Sequence, residues 1–307
     1  MVRQKKLLKH LRKNKTKKNK TKKNKTKKIK QNKSLKKINC SPKKPHEFTC
    51  YTSSSLDKMK SLWNERHPDL KIISNNSKEI WEKLRNNLSN VCDTEKCWLK
   101  QNFINNNLDN ELKNHTFAPD APKSWNKNPN EWLNSVDINK VMQQYEYEYP
   151  CFTFIGPSPI DFETKKLFGQ CVWNELCDFD LKTYIKKGKT KFGIIFNTDP
   201  HYLDGSHWIC LFIDIKKNYI YYFDSNADTT PIEIDNFVNK VKQQGKKLNI
   251  DFKYSRNTTQ HQKSNTECGM YVLFVITELL QNKMTPKMFK DRVPDENMEH
   301  LRKIFFN

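Results

Sequence analysis

The spacing of hydrophobic residues changes in character near Pro150. From residue 45 to about 147 apolar positions recur three or four apart in SSSLDKMKSLWNERH (53–67), NSKEIWEKLRNNL (76–88) and EKCWLKQNFINNNLDNELKN (95–114), each near a Ser, Asn or Asp able to cap a helix. This pattern predicts helices, with Trp63, Trp81, Trp98, Trp125 and Trp132 as core anchors. FAPDAPKSWNKNPNEW (117–132), interrupted by Pro119, Pro122 and Pro129, predicts a loop. Beyond Pro150, CFTFIG, KFGIIFNT, HWICLFIDI and YIYYFDS are short β-branched and aromatic runs bounded by turn residues, and predict strands. Helix-like stretches are expected near Phe162–Phe168 and Asp180–Lys187, a helix over Pro231–Gln244, a further strand in LNIDFKY, and short helical pieces at Pro286–Asp291 and Glu296–Ile304. From Met270 to Leu280 nearly every residue is apolar, which predicts a helix buried on all sides. The fold class expected is α+β, in three parts: a disordered polybasic tail (1–44), a helical arm domain (45–147) and a catalytic-sized domain (148–307).

Charge changes the picture only at one end. The net charge of +22 arises because 21 of the 56 Lys and Arg lie in residues 1–44, which hold no Asp or Glu; the other 35 nearly balance the 34 acidic residues. That tail repeats KNKTK at 13–17, 18–22 and 23–27, and it has too little apolar surface to offset chain entropy. It suits nucleic-acid phosphate, anionic lipid or an import receptor, so nucleic acid is a candidate partner of residues 1–44. No stretch is long and apolar enough for a membrane span, and no secretion signal follows the basic N-terminus. The nine cysteines are therefore read as thiols in a reducing compartment. CDTEKC (92–97) lacks a second pair at metal-ligand spacing, so neither a metal nor a cofactor is expected.

Candidate chemistry centres on QHQKSNTECGMYVLFVITELL (260–280). Cys268 falls where polar sequence gives way to the apolar helix, and a helix N-terminus favours thiolate. A thiol nucleophile needs a histidine, a group to orient that histidine, and donors for an oxyanion. Of eight histidines only His201, His207 and His261 fall in the strand-rich part. If HWICLFIDI and YIYYFDS form a hairpin about Lys216–Asn218, paired residue numbers sum to about 433, which brings Asp224 within two residues of the position opposite His207. His201, in a loop, lacks such a partner.

GSHWICLFID, YYFDS and QKSNTECGMYVLFV together resemble the cysteine proteases related to the adenovirus protease and the SUMO/ubiquitin-like protein proteases. FNTD (196–199), TECG and a helical N-terminal arm narrow the resemblance to the polyprotein-processing proteases of African swine fever virus and other large DNA viruses. The resemblance implies a papain-like, adenain-type core: a mixed central sheet flanked by helices. It implies His207 as general base, Asp224 as its orienting group, Cys268 as nucleophile, Gln262 as an oxyanion donor beside the Cys268 backbone N–H, and Trp208 as a wall of the site. The six-residue spacing to Cys268 selects Gln262 over Gln260. The implied activity is cleavage after glycine at Gly-Gly-X sites of capsid or core polyproteins during virion maturation, in the virion and the host cytoplasm at the viral factory. The seven glycines of this chain are never adjacent, so it holds no such site of its own. Three alternatives stay open: a protease on host ubiquitin-like modifiers, an acyltransferase on the same fold, and a non-enzymatic packaging protein that binds nucleic acid.

Overall fold

The computed structural model describes residues 35–42, 45–105 and 110–307, of which Leu35–Asn307 form one compact unit. The disorder expected of residues 1–44 falls, up to Ser34, outside the described residues. Residues 35–42 differ from that expectation. Leu35 and Ile38 pack on the arm's apolar cluster, and Cys40 pairs as an isolated bridge with Phe117, so the folded unit starts ahead of residue 45.

The arm opens with α1 (Ser53–Arg66) and α2 (Ser77–Leu88), capped by the side chains of Thr52 and Asn76. The run at 95–114 is broken into α3 (Glu95–Trp98), α4 (Asn102–Asn105) and α5 (Asn110–His115), in keeping with its many asparagines, which compete for backbone hydrogen bonds. Tyr51, Leu56, Met59, Trp63, Leu84 and Trp98 form the arm's own core. Trp132 departs from the anchor role expected of it, being 44% exposed. The helix α6 (Ser135–Glu148), started by a capping box between Asn134 and Asp137, leaves the arm by its packing. Its Ile138, Val141, Met142 and Tyr145 join the core of the following sheet, so the chain has no packing boundary at 147.

The sheet holds β1 (Phe152–Pro159), β2 (Lys191–Asn197), β3 (Trp208–Asp214), β4 (Tyr219–Phe223) and β5 (Lys253–Arg256) in that order. β1–β2 and β4–β5 are parallel, and β2–β3 and β3–β4 antiparallel. It is the mixed central sheet expected, flanked by helices on both faces. β3 shows how. Trp208, Cys210 and Phe212 enter one core, whereas Ile209, Leu211 and Ile213 enter the other, so period-two alternation is apolar throughout.

Between β1 and β2, α7 (Asn174–Cys177) and α8 (Leu181–Lys186) follow a stretch expected to be helical at Phe162–Phe168. That stretch is instead a turn and a small hairpin closed by the Lys165–Cys171 bridge. On one face lies α9 (Ile232–Lys246); on the other lies α10 (Cys268–Leu280), with α11 (Asp295–Phe305) beyond. The strand expected in LNIDFKY starts only at Lys253, because residues 248–250 turn back on the end of α9 to bury Phe252 against Gly245. α10 approaches β2 so closely that a Cβ on Gly193 would lie 2.7 Å from Ile276 Cγ2.

The expectation of free thiols is corrected for six cysteines. Cys40–Cys50, Cys92–Cys97 and Cys171–Cys177 are bridged, with Cα–Cα distances of 5.2, 5.5 and 6.3 Å. Each pair is at most 10 residues apart, close enough for a single turn to bring it into bonding range. Cys151, Cys210 and Cys268 are free. Among the described residues no group of three His, Cys, Asp or Glu is placed to hold a metal ion, and no helix is long and apolar enough to cross a membrane.

Candidate active site

β3 and β4 pair in the register expected: Cys210 faces Phe223, Leu211 faces Tyr222 and Phe212 faces Tyr221. Continued past the last pair, that register sets His207 opposite residue 226, yet His207 Nε2 donates to Asp224 Oδ1 at 2.7 Å. The contact needs no slip of the turn. The chain leaves the ladder after Phe223, and Asp224 reaches back diagonally to the residue before β3.

Asp224 is buried and firmly held. Asn257 accepts its backbone N–H at 3.0 Å and donates to its carbonyl at 2.6 Å, and Asn226 N–H donates to Oδ1 at 2.9 Å. Asn257 carries no motif signal, since it lies 33 residues away and caps β4 only through the parallel β5.

Cys268 is the first residue of α10 and 1% exposed. The His207 side chain hydrogen-bonds to Asp224, and both Asp224 and Cys268 act on its charge. With Nε2 turned to Asp224, Nδ1 is the ring nitrogen left for the thiol. Burial works against charge on this ring, but the hydrogen bond to Asp224 and the pull of Asp224 and Cys268 outweigh it. The His207 pKa is accordingly raised from its ordinary 6.5 to about 10. Such an arrangement favours an imidazolium next to the first residue of α10.

Gln262 is pinned from three directions. Its Oε1 accepts from Ser225 Oγ at 2.9 Å, its Nε2 donates to Ser264 O at 2.8 Å, and its backbone N–H donates to Ser225 O at 3.0 Å. One Nε2 hydrogen is therefore committed, and the second is left for another acceptor. Beside it, His261 is fully buried, donating from Nε2 to Phe289 O (3.1 Å) and accepting Val293 N–H at Nδ1 (3.0 Å). Both bonds are satisfied only by the neutral ring, and burial lowers its pKa. His261 thus anchors the loop that carries Gln262.

Trp208 is buried in the core and donates Nε1–H to Leu133 O at 2.8 Å. Leu133 in turn abuts α10, where a Cβ on Gly269 would lie 2.8 Å from Leu133 Cβ. His201, expected to lack a partner, has one: Asp161 accepts its backbone N–H at 2.8 Å and contacts its Nδ1 at 2.6 Å. Asp161 lies in the turn after β1, 40 residues away, so no hairpin register could have revealed the pair.

A buried ion pair completes the setting. Glu267, the residue before Cys268, is fully buried, and Arg302 of α11 donates to both its carboxylate oxygens at 2.9 and 3.0 Å. The same guanidinium donates to Glu131 O at 2.8 Å and lies 4.7 Å from the centre of the Trp125 ring. Arg302 therefore joins the start of α10 to the 131–133 segment that supports Trp208. We expect Arg302→Ala to cost about 3–5 kcal/mol of stability, because it leaves a buried carboxylate unpaired. Arg302→Lys should recover only part, lacking the fork that spans both oxygens. Urea unfolding measures both; a loss under about 1 kcal/mol for the alanine variant would reject the pair as a structural tie.

A cleft of about 490 Å3 runs past Trp208, lined also by Trp132, Leu133, Pro159, Trp173 and Asn197. A larger hollow of about 1070 Å3 between residues 37–39, 121–130 and α11 meets the site only through Arg302.

Residues 192–307 match the Ulp1 protease family, C-terminal catalytic domain. The chain is 28% identical over 243 residues to a thiol protease of Acanthamoeba polyphaga mimivirus, covering 78% of this chain and 77% of that one. It is 28% identical over 245 residues to a cysteine protease of African swine fever virus, covering 75% and 88%; in other isolates that protein is called a SUMO-1 cysteine protease. A crystal structure of the African swine fever virus protease shares the fold, with a TM-score of 0.62 at 22% identity over 89% of this chain and 97% of that one. Residues 192–307 thus make up a Ulp1-like catalytic domain, and the chain is a cysteine peptidase.

Proposed function

We propose that the protein is an endopeptidase in which Cys268 is the nucleophile, His207 the base and Asp224 its orienting group. It would cut after glycine at Gly-Gly-X sites of viral capsid or core polyproteins during virion maturation. The observation that carries the catalytic reading is the His207 ring, hydrogen-bonded to buried Asp224 and charged under the joint pull of Asp224 and of Cys268 at the start of α10. His207 takes the Cys268 proton, the thiolate adds to the scissile carbonyl, and the oxyanion receives the free Gln262 Nε2–H and the Cys268 backbone N–H. His207 then protonates the departing amine, and water, deprotonated by the same ring, releases the acyl group from sulfur.

The viral origin of the relatives supports the maturation role and a place in the virion and the viral factory. Trp132 and Trp208 both line the cleft, and such bulky walls favour a substrate residue without a side chain. The arm (45–147) would support this cleft through residues 131–133, and the polybasic segment (1–44) would tether the enzyme to nucleic acid in assembling cores. A second reading, action on host ubiquitin-like modifiers, draws on the SUMO-1 protease name carried by relatives.

Purified protein incubated under reducing conditions with Gly-Gly-X peptides and with a SUMO-1 precursor separates the two. Cleavage of the peptides in preference to the precursor is expected, with no internal cut in the enzyme itself by mass spectrometry, since none of its glycines are adjacent. Cleavage of the precursor alone would transfer the assignment to the modifier. Cleavage of neither would defeat both and leave acyl transfer or packaging.

A further inference from the structure

Two apolar projections flank the cleft beside Trp208. The first is the tip of the 164–173 hairpin, where Leu167 is 82% and Phe168 98% exposed. The tip is not a slack loop. Lys166 N–H donates to Gln170 O at 2.7 Å, Val172 N–H to Thr164 O at 2.9 Å, and the hairpin base is fastened by the Cys171–Cys177 bridge. Phe168 has φ 67° and ψ 16°, a left-handed conformation unfavourable to a bulky side chain, in which its phenyl makes almost no contact with the protein. Folding therefore leaves the burial free energy of this side chain unused. The hairpin's stem residues Lys166, Val172 and Trp173 line the cleft.

The second projection is the 200–204 loop, with Tyr202 74% exposed. Its neighbours Pro200, His201 and Leu203 line the same cleft from the other side. His201 binds Asp161 through both its backbone and its ring, and Asp161 leads directly into the hairpin. One pair thus fixes the two rims relative to each other. The cleft's charged residues, Lys166, Asp199 and Asp204, are of mixed sign, which disfavours a nucleic-acid or other polyanionic occupant.

We propose that the Leu167–Phe168 tip and Tyr202 are paired lips of a docking surface that grips apolar residues of the substrate polypeptide flanking the scissile bond. This inference rests on the peptidase reading above, because the cleft between the lips is continuous with Trp208, next to His207. It assigns substrate selection to apolar sequence around the glycines as well as to the glycines themselves.

The test compares a minimal Gly-Gly-X peptide with the same core extended on either side by Leu- and Phe-containing segments or by Ser- and Gln-containing ones. Wild type should cut one of the apolar extended peptides with about tenfold higher kcat/KM than its polar counterpart, through KM. Leu167→Ser/Phe168→Ser should erase that preference and leave the minimal peptide unaffected, and Tyr202→Ser on the facing rim should lower it. Equal rates on apolar and polar peptides, or a preference that survives both variants, would overturn the proposal. Loss of the minimal peptide as well, with unchanged thermal unfolding, would also overturn it by assigning the hairpin to catalysis. Binding of wild type but not the hairpin variant to phosphatidylcholine–phosphatidylserine vesicles, with peptide kinetics unchanged, would replace the substrate by a lipid surface. If wild type cuts no peptide, the peptidase reading fails first and takes this one with it; cleavage without apolar preference sinks only this one.

Discussion

Replacing Cys268 with alanine is expected to lower kcat/KM by about 10^4-fold or more while the protein stays folded. Removal of a covalent nucleophile takes away the reaction path itself, and what remains is only the catalysis supplied by binding and oxyanion donors. The substitution is mild for packing, since alanine suits the first turn of a helix and removes one buried sulfur. Thermal unfolding of the variant within a few degrees of wild type would separate lost chemistry from lost structure. Alkylation offers an independent check. Cys210 is buried in β3 and burial pushes its thiol well up, so it should remain inert. In a Cys151→Ser background, which removes the other accessible free thiol, rapid labelling by iodoacetamide at neutral pH should fall on Cys268 and vanish when Cys268→Ala is added. Retention of more than about one part in a hundred of wild-type activity by Cys268→Ala would remove this residue from the mechanism.

Asp224→Asn should cost about 10^2- to 10^4-fold in kcat/KM and also change the pH profile. In the folded protein His207 holds its proton up to about pH 10, against an ordinary 6.5. A raised histidine pKa contributes stability that is full below about 6.5 and is lost as pH rises through about 10. The imidazolium needed to protonate the leaving amine is lost over the same upper limb. Asparagine removes both the charge and the carboxylate that accept Nε2–H, while burial of the ring remains to disfavour its charge. The alkaline limb of kcat/KM should therefore move down towards neutral pH. An Asn variant with slowed turnover but an unmoved limb would contradict Asp224 as the group that charges His207.

The elements that place the site were legible where their signal is local. The β-branched and aromatic run HWICLFIDI marked a strand, and packing then showed it covered on both faces. The turn at Lys216–Asn218 fixed its register with β4, because in a hairpin the turn alone sets which residues pair. The polar-to-apolar change at Cys268 marked the start of α10. Even here the diagonal reach from Asp224 to His207 depended on the chain leaving the ladder after Phe223, which no spacing announces.

Other features had no local signal. Trp132 looked like a core anchor because tryptophan is large and apolar, but its place on a loop beside a cleft leaves it partly in solvent. The 162–168 segment had helical spacing and became a fastened hairpin instead, held by a cysteine pair. The helix ending the arm at Glu148 was assigned by chain order to one domain and by packing to another.

The sequence by itself determined the sheet's central strands, the buried helix with Cys268 at its head, and the candidacy of His207 and Asp224, since each depends on local composition or on separations of a few residues; Gln262 entered only through the resemblance. Only the tertiary structure decided that Asn257 holds Asp224, that Arg302 braces Glu267 beside the thiol, that His201 pairs with Asp161, and which cysteines are bridged. The three side-chain pairs lie 33 to 40 residues apart and meet because separate elements pack against one another, whereas the bridged cysteines are within 10 residues. A buried charge or amide needs some partner, but its own sequence neighbourhood does not say which one folding will bring.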